Sequence, residues 1–150
     1  MVLFECLLNN FLIDQSMTHD PVVIVSAART PMGSFQGMFS GLTAPTLGAV
    51  AIKAAVEKAG LDANLVEEVL MGCVLPAGLG QAPTRQAALL ANLPLHAGCT
   101  TISKVCGSGM KATMLGHDGI VANSYAVTVV GGMESMTNSP YLLPKARGGY

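Results

Sequence analysis

Apolar residues follow two rhythms along this chain. Residues 22–27 (VVIVSA), 69–74 (VLMGCV), 100–105 (TTISKV) and 126–130 (AVTVV) are short runs rich in β-branched side chains. Runs of this length, bounded by turn residues, predict strands buried on both faces. Between them the apolar spacing changes to three and four. In residues 45–59, Leu47, Ala51, Ala54 and Ala55 repeat at helical spacing, and Ile52 and Val56 widen the apolar face. Thr43 or Ala44 at the cap, Pro45 in the first turn, Lys58 near the end and Gly60 beyond it bound that helix.

A second helix spans residues 83–91, with Pro83 in its first turn and Asn92 ending it. A third covers 108–121 through Met110, Met114, Leu115, Ile120 and Val121. Gly116 and Gly119 each lower its propensity by up to about 1 kcal/mol relative to alanine, which predicts close approach of another backbone. Residues 62–66 support a single helical turn and 76–80 a loop. After Thr137, Asn138, Pro140, Pro144, Gly148 and Gly149 read as extended loop. Strands alternating with helices are the βαβ signal. They predict an α/β fold, a mostly parallel sheet with covering helices.

The first twenty residues stand apart from this pattern. Leu3/Phe4, Leu7/Leu8 and Phe11/Leu12 recur at helical spacing and predict a short amphipathic helix, an extra docking element. The segment has no Lys or Arg, so it matches neither a secretory signal nor an arginine-rich mitochondrial presequence. Without a basic flank it is also a poor membrane anchor. Strong patterning begins at Pro21, and Met17 reads as a natural start.

Composition narrows the picture. Of 150 residues, 51% are hydrophobic and 11% charged, with a mean hydropathy of +0.50; globular domains average about 25% charged. Such a chain collapses, so disorder is excluded. A formal charge of -1 offers no dense phosphate-binding surface, which argues against nucleic acid as a partner. No run reaches the roughly 18 apolar residues of a membrane helix. So little charge is too small a supply for a soluble monomer's surface. The exterior is therefore expected to be buried in a partner, or to belong to a larger protein. The four cysteines, at 6, 73, 99 and 106, lack the C-x₂₋₄-C spacing of a zinc site. They point to a reducing compartment, taken to be the cytoplasm. Cys6, Cys73 and Cys99 are expected to be inert buried thiols.

Cys106 differs in its surroundings. It lies between a β-branched run and a helix whose first turn is Gly107-Ser108-Gly109. Amide groups at a helix start and the helix dipole favour a thiolate and can bind an oxyanion. The two glycines leave room for a substrate and permit a sharp strand-to-helix corner of nucleophile-elbow type, although G-x-S-x-G is absent. Ser108 reads as a capping or first-turn residue. The alternative is a buried cysteine ahead of a glycine-softened helix, and local sequence leaves both open.

No base is evident. His19 is in the uncertain tail, His96 in a loop, and His117 about 16 Å along the helix from Cys106. Asp118, next to His117, projects from a different helical face. Lys104 and Lys111 are expected to face solvent, and Arg85 to be solvated on its helix or to line a polar cleft with Gln81. Gly78-Leu79-Gly80-Gln81-Ala82-Pro83 has Pro where a dinucleotide loop needs its third Gly, so it does not predict dinucleotide binding. Glu134, isolated after a double glycine, is expected to accept backbone N–H bonds from a neighbouring loop.

Five stretches, with the spacing between them, carry a family resemblance: VVIVSAARTPMGSFQG (22–37), MGCVLPAGLGQAPTRQAA (71–88), ISKVCGSGMKA (102–112), VVGGMESMTNSPYLLP (129–144) and KARGGY (145–150). From about residue 21 to the end, the chain resembles the N-terminal part of a thiolase, closest to the acetyl-CoA C-acetyltransferase branch. The resemblance implies a thiolase-like α/β domain over 21–136, incomplete as it stands. Residues 1–20 form an extension and 137–150 the start of a loop region. It also implies that Cys106 accepts an acyl group from acyl-CoA and that its backbone N–H serves an oxyanion hole. A second acyl-CoA then condenses on the thioester to give acetoacetyl-CoA, or thiolysis runs in reverse.

No resident cofactor or metal is implied, coenzyme A entering as part of the substrate. The parent is expected to be a homodimer or homotetramer. The family's catalytic His in Gly-His-Pro, its second Cys and its Asn in Asn-Glu-Ala do not occur here, so the isolated chain is expected to turn over little. The alternatives are a 3-ketoacyl-CoA thiolase of fatty-acid β-oxidation, a ketosynthase, which the other matched stretches disfavour, or a non-catalytic fragment.

Overall fold

A computed structural model describes the strand Val2–Cys6 and residues 22–149. Its elements are β1 (Val2–Cys6), β2 (Val22–Ala27), α1 (Ala44–Ala59), β3 (Glu68–Gly72), α2 (Pro83–Leu90), β4 (Gly98–Ile102), α3 (Ser108–Val121) and β5 (Val127–Gly132). Short 3₁₀ turns cover Ala63–Leu65, Met136–Asn138 and Ala146–Gly148. One sheet joins the strands in the order β2-β1-β5-β3-β4. β3 pairs in parallel with both β4 and β5, whereas β1 is antiparallel to both of its neighbours. Four strands therefore run one way, and β1 opposes them.

The helices lie on both faces of this sheet. Along β3 and β5 side chains alternate: Val69, Met71, Val127 and Val129 join α1 and α2 in one core, Leu70 and Val130 join α3 in the other. This period of two explains why the strands read as continuous apolar runs. Alanines on α1 and α2 let these helices approach the sheet and each other closely. Thr43 caps α1 by accepting from the Thr46 N–H, and Gly60 ends it at φ 68°, a conformation costly for residues with a Cβ. Ser26 Oγ donates to the Ala55 carbonyl at 2.6 Å and ties β2 to α1. α2 has no cap from Ala82; its Thr84 N–H donates instead to Thr101 Oγ1 of β4 at 3.1 Å.

Several expectations need correction. Val2–Cys6 is a strand rather than the start of an amphipathic helix, and it lies ahead of Met17 in the chain. Helical spacing of apolar pairs was overruled by two open strand edges, those of β2 and β5, which β1 joins. The positions of Leu7, Leu8, Phe11, Leu12 and His19 lie outside the described residues.

Arg85 is not merely solvated. Its guanidinium donates to the Ala97 and Leu95 carbonyls, each at 2.9 Å, and so holds the loop entering β4. Gly116 and Gly119 make room for side chains, not a backbone: Val130 and Tyr125 occupy the space a Cβ would need. His117 Nδ1 and Asp118 Oδ1 lie 3.3 Å apart despite being adjacent in sequence.

Candidate active site

The parallel strands β3, β4 and β5 deliver their C-terminal ends to one rim of the sheet, the rim at which open α/β sheets bind ligands. β3 stops at Gly72 and β4 at Ile102, each earlier than its apolar run. The cause at β3 is Glu134. Its carboxylate accepts from the Val74 N–H at 2.8 Å and the Leu75 N–H at 3.1 Å, drawing those amides away from the ladder. That is the role expected of it. The cause at β4 is a turn through Lys104–Gly107, in which the Gly107 and Ser108 amides donate to the Lys104 and Val105 carbonyls.

Val105 occupies the left-handed region at φ 48°, which β-branched residues rarely enter. Immediately after it, Cys106 is exposed at the rim, one residue ahead of the Gly107 cap of α3. An open cavity of about 310 Å³ surrounds it, lined by Gly72, Val74, Val105, Ser108, Gly109 and Glu134 among others. Gly72 lines this pocket where α3 comes closest to β3. A Cβ there would sit 2.6 Å from the Ser108 and Gly109 backbone, so only glycine lets α3 begin directly on β3. Ser108 is buried, and its hydroxyl accepts from the Lys104 N–H at 2.7 Å while donating to the Val105 carbonyl at 2.6 Å.

The other thiols are in different surroundings. Cys73 is buried, and its Sγ donates to Glu134 Oε1 at 3.6 Å. Burial first, then the Glu134 charge and hydrogen bond, push its pKa up to about 11. Half-buried Cys99 is also raised, chiefly by burial, against an opposing pull from Arg85. Cys73 is buried as expected, Cys99 only partly so, and the Cys6 side chain lies outside the described residues.

Neither His96 nor His117 lines the Cys106 cavity. A larger cavity of about 430 Å³, between loop residues 30–39 and residues 134–137, holds no cysteine or histidine. Gln81 lines neither cavity; its carbonyl accepts from the Gln86 side chain. Among the described residues no three His, Cys, Asp or Glu side chains gather as metal ligands, and no helix is long and apolar enough to cross a membrane. Sequence reasoning missed the two hydrogen bonds of the Ser108 hydroxyl and the constraint at Gly72. The paired glycines 131–132 and Gly72 before Cys73 were the available signal.

The thiolase N-terminal domain family matches residues 22–150. The chain belongs to the thiolase family. "Acetyl-CoA acetyltransferase B, mitochondrial" of Xenopus laevis is 56% identical over 128 residues, covering 85% of this chain and 30% of that protein. "Acetyl-CoA acetyltransferase" of Schizosaccharomyces pombe is 53% identical over 133 residues, covering 89% of this chain and 34% of that protein.

A crystal structure of Acat5 thiolase from Ascaris suum in complex with coenzyme A superposes with a TM-score of 0.79 at 40% identity. It covers 81% of this chain and 32% of that one. The chain thus spans about 30% of the length of the curated relatives it matches. β1 lies outside the matched region.

The expected cytoplasmic location is corrected by these relatives, since those of Xenopus laevis, Bos taurus and Homo sapiens are named mitochondrial. Unpaired thiols at Cys73, Cys99 and Cys106 separate reducing from oxidising surroundings, and do not tell two reducing compartments apart. The lack of arginine in residues 1–20 is no guide either, because those residues fall outside the family match.

Proposed function

We propose that the chain is the nucleophile-bearing part of an acetyl-CoA acetyltransferase, with Cys106 as the acyl acceptor. The exposure of Cys106 at the start of α3, inside a glycine-lined cavity, carries this reading. In the first half-reaction the Cys106 sulfur attacks the thioester carbonyl of acetyl-CoA. The carbon–sulfur bond to CoA breaks, CoA leaves as the thiolate and takes up the proton lost by Cys106, and the acetyl group remains on Cys106. The Cys106 backbone N–H and the start of α3 supply dipoles for the oxyanion formed on the way.

In the second half-reaction a second acetyl-CoA, deprotonated at its α-carbon, attacks the acetyl-Cys106 carbonyl. Acetoacetyl-CoA forms and the thiol is released; thiolysis is the reverse. Neither His96 nor His117 lies at the cavity, so proton transfer falls to groups in the roughly two-thirds of the relatives' length not spanned here. The isolated chain should accept an acetyl group slowly and complete no condensation. Coenzyme A is substrate in this scheme, with no resident cofactor, and the whole protein is a homodimer or homotetramer. The compartment that accompanies the reading is the one in the relatives' names, the mitochondrion.

Intact-mass spectrometry of the purified chain after incubation with acetyl-CoA tests the proposal. A single acetyl adduct, mapped to Cys106 by peptide analysis and lost in Cys106→Ala, is the expected result. An adduct that persists in Cys106→Ala, or a chain that stays unmodified while Cys106 reacts with iodoacetamide, would overturn it.

A further inference from the structure

We propose that Ser108 is a positioning residue for Cys106, its hydroxyl clamping the turn that aims the thiol into the cavity beside Gly72. The proposal rests on the reading of Cys106 as acyl acceptor. Val105 sits at φ 48°, a conformation that persists only where its surroundings over-determine it. Ser108 supplies that determination twice. Its Oγ accepts from the Lys104 N–H at 2.7 Å, ahead of Val105, and donates to the Val105 carbonyl at 2.6 Å, behind it. One hydroxyl thus closes a ring across the peptide of Lys104 and Val105, the two residues that lead into Cys106.

The clamp is shielded from water, Ser108 being 4% exposed with its Cβ against the position above Gly72. A shielded hydroxyl with both its donor and acceptor functions engaged has little freedom to rotate. With the hydroxyl removed, the Lys104 amide loses its acceptor and the Val105 carbonyl keeps only the Ser108 N–H, at 3.1 Å, which releases Val105 toward the ordinary β or right-handed regions. That rotation turns the Val105–Cys106 peptide, and with it both the sulfur and the Cys106 N–H. Thr113 provides an internal comparison. Its hydroxyl also donates to a carbonyl of α3, that of Gly109 at 3.0 Å, but away from the turn.

The test compares wild type, Ser108→Ala and Thr113→Ala in the full chain with two measurements. Amide hydrogen exchange over residues 104–107 reads the clamp; the rate of Cys106 acetylation against acetyl-CoA concentration reads its consequence. Ser108→Ala is expected to speed exchange there by at least about tenfold. It should lower the maximal acetylation rate by a similar factor, leaving the half-saturating acetyl-CoA concentration unchanged. Thr113→Ala should match wild type in both. Unchanged exchange in Ser108→Ala overturns the clamp, and faster exchange with a wild-type acetylation rate overturns its positioning role. Wild type that takes no acetyl group, yet is alkylated at Cys106 by iodoacetamide, sinks the acyl-acceptor reading and the positioning role with it. That failure shows in wild type alone, whereas failure of the Ser108 role shows only between variants.

Discussion

Cys73 follows β3 and Cys106 follows β4, so two thiols stand near the same rim of one sheet. Cys73 points into the core shared with α1 and α2, beside a carboxylate. Cys106 comes after a left-handed residue that turns the chain out of the strand direction, and it is exposed at a helix start. The residue type is the same. What differs is the element that follows each strand: a loop pinned by Glu134 after β3, and a tight turn into α3 after β4. The exposure of a thiol at this rim is therefore set by the connection and not by the cysteine.

The sharpest way to break this comparison is to label both thiols. With a pKa of about 11, Cys73 is about one part in a thousand thiolate at pH 8, and it is buried as well. Iodoacetamide at that pH should modify Cys106 at least about 100-fold faster than Cys73, read by peptide mass spectrometry. Comparable rates would erase the distinction.

Gly72→Ala attacks the rim beneath Cys106. The added methyl meets helix backbone, which cannot step aside cheaply, and stability should fall by about 3 kcal/mol in urea unfolding. A variant as stable as wild type would show that α3 does not begin directly on β3. Glu134→Ala attacks the loop after β3 instead. It leaves the Val74 and Leu75 amides without their acceptor and should cost about 2 kcal/mol. It should also speed Cys73 labelling, because a cause of the raised pKa is gone.

The smallest effect is one of pH. Folded Cys73 keeps its proton up to about pH 11, whereas the unfolded chain loses it near the ordinary cysteine value of 9.0. Between those values the folded state binds more protons, so stability should fall as pH rises, by up to about 1.4 kcal/mol per unit. The raised Cys99 and Tyr125 act in the same direction. The slope from Cys73 is about half its maximum at pH 9 and nearly gone below pH 8. Urea midpoints at pH 8, 9 and 10 check the sign; in Cys73→Ala the decline should be shallower, and a flat wild-type profile would contradict it.

Local signals were enough for much of this protein. β2, α1, α2, α3 and β5 were legible because apolar period and caps are properties of neighbouring residues. Thr43, Pro45 and Gly60 mark α1 without reference to anything distant. Cys106 stood out for the same reason, through the β-branched run before it and the glycines after it. The family resemblance rested on short stretches and their spacing, and these are also local. Glu134 was read correctly as a receiver of backbone amides, though which amides it would receive was not legible.

What tertiary structure alone decided involves residues far apart in the chain. β1 was invisible because a strand between β2 and β5 exists only when both edges are brought to it. Arg85 found the carbonyls of Leu95 and Ala97 only once α2 lay against β4. Gly72 became indispensable only when α3 began on top of it. The early ends of β3 and β4 have the same origin, since an apolar run says where a strand is favourable and not where its amides find better partners. Periodicity and capping are short-range energies written residue by residue. Strand neighbours, close backbone approaches and the surroundings of a thiol depend on contacts that chain order does not specify.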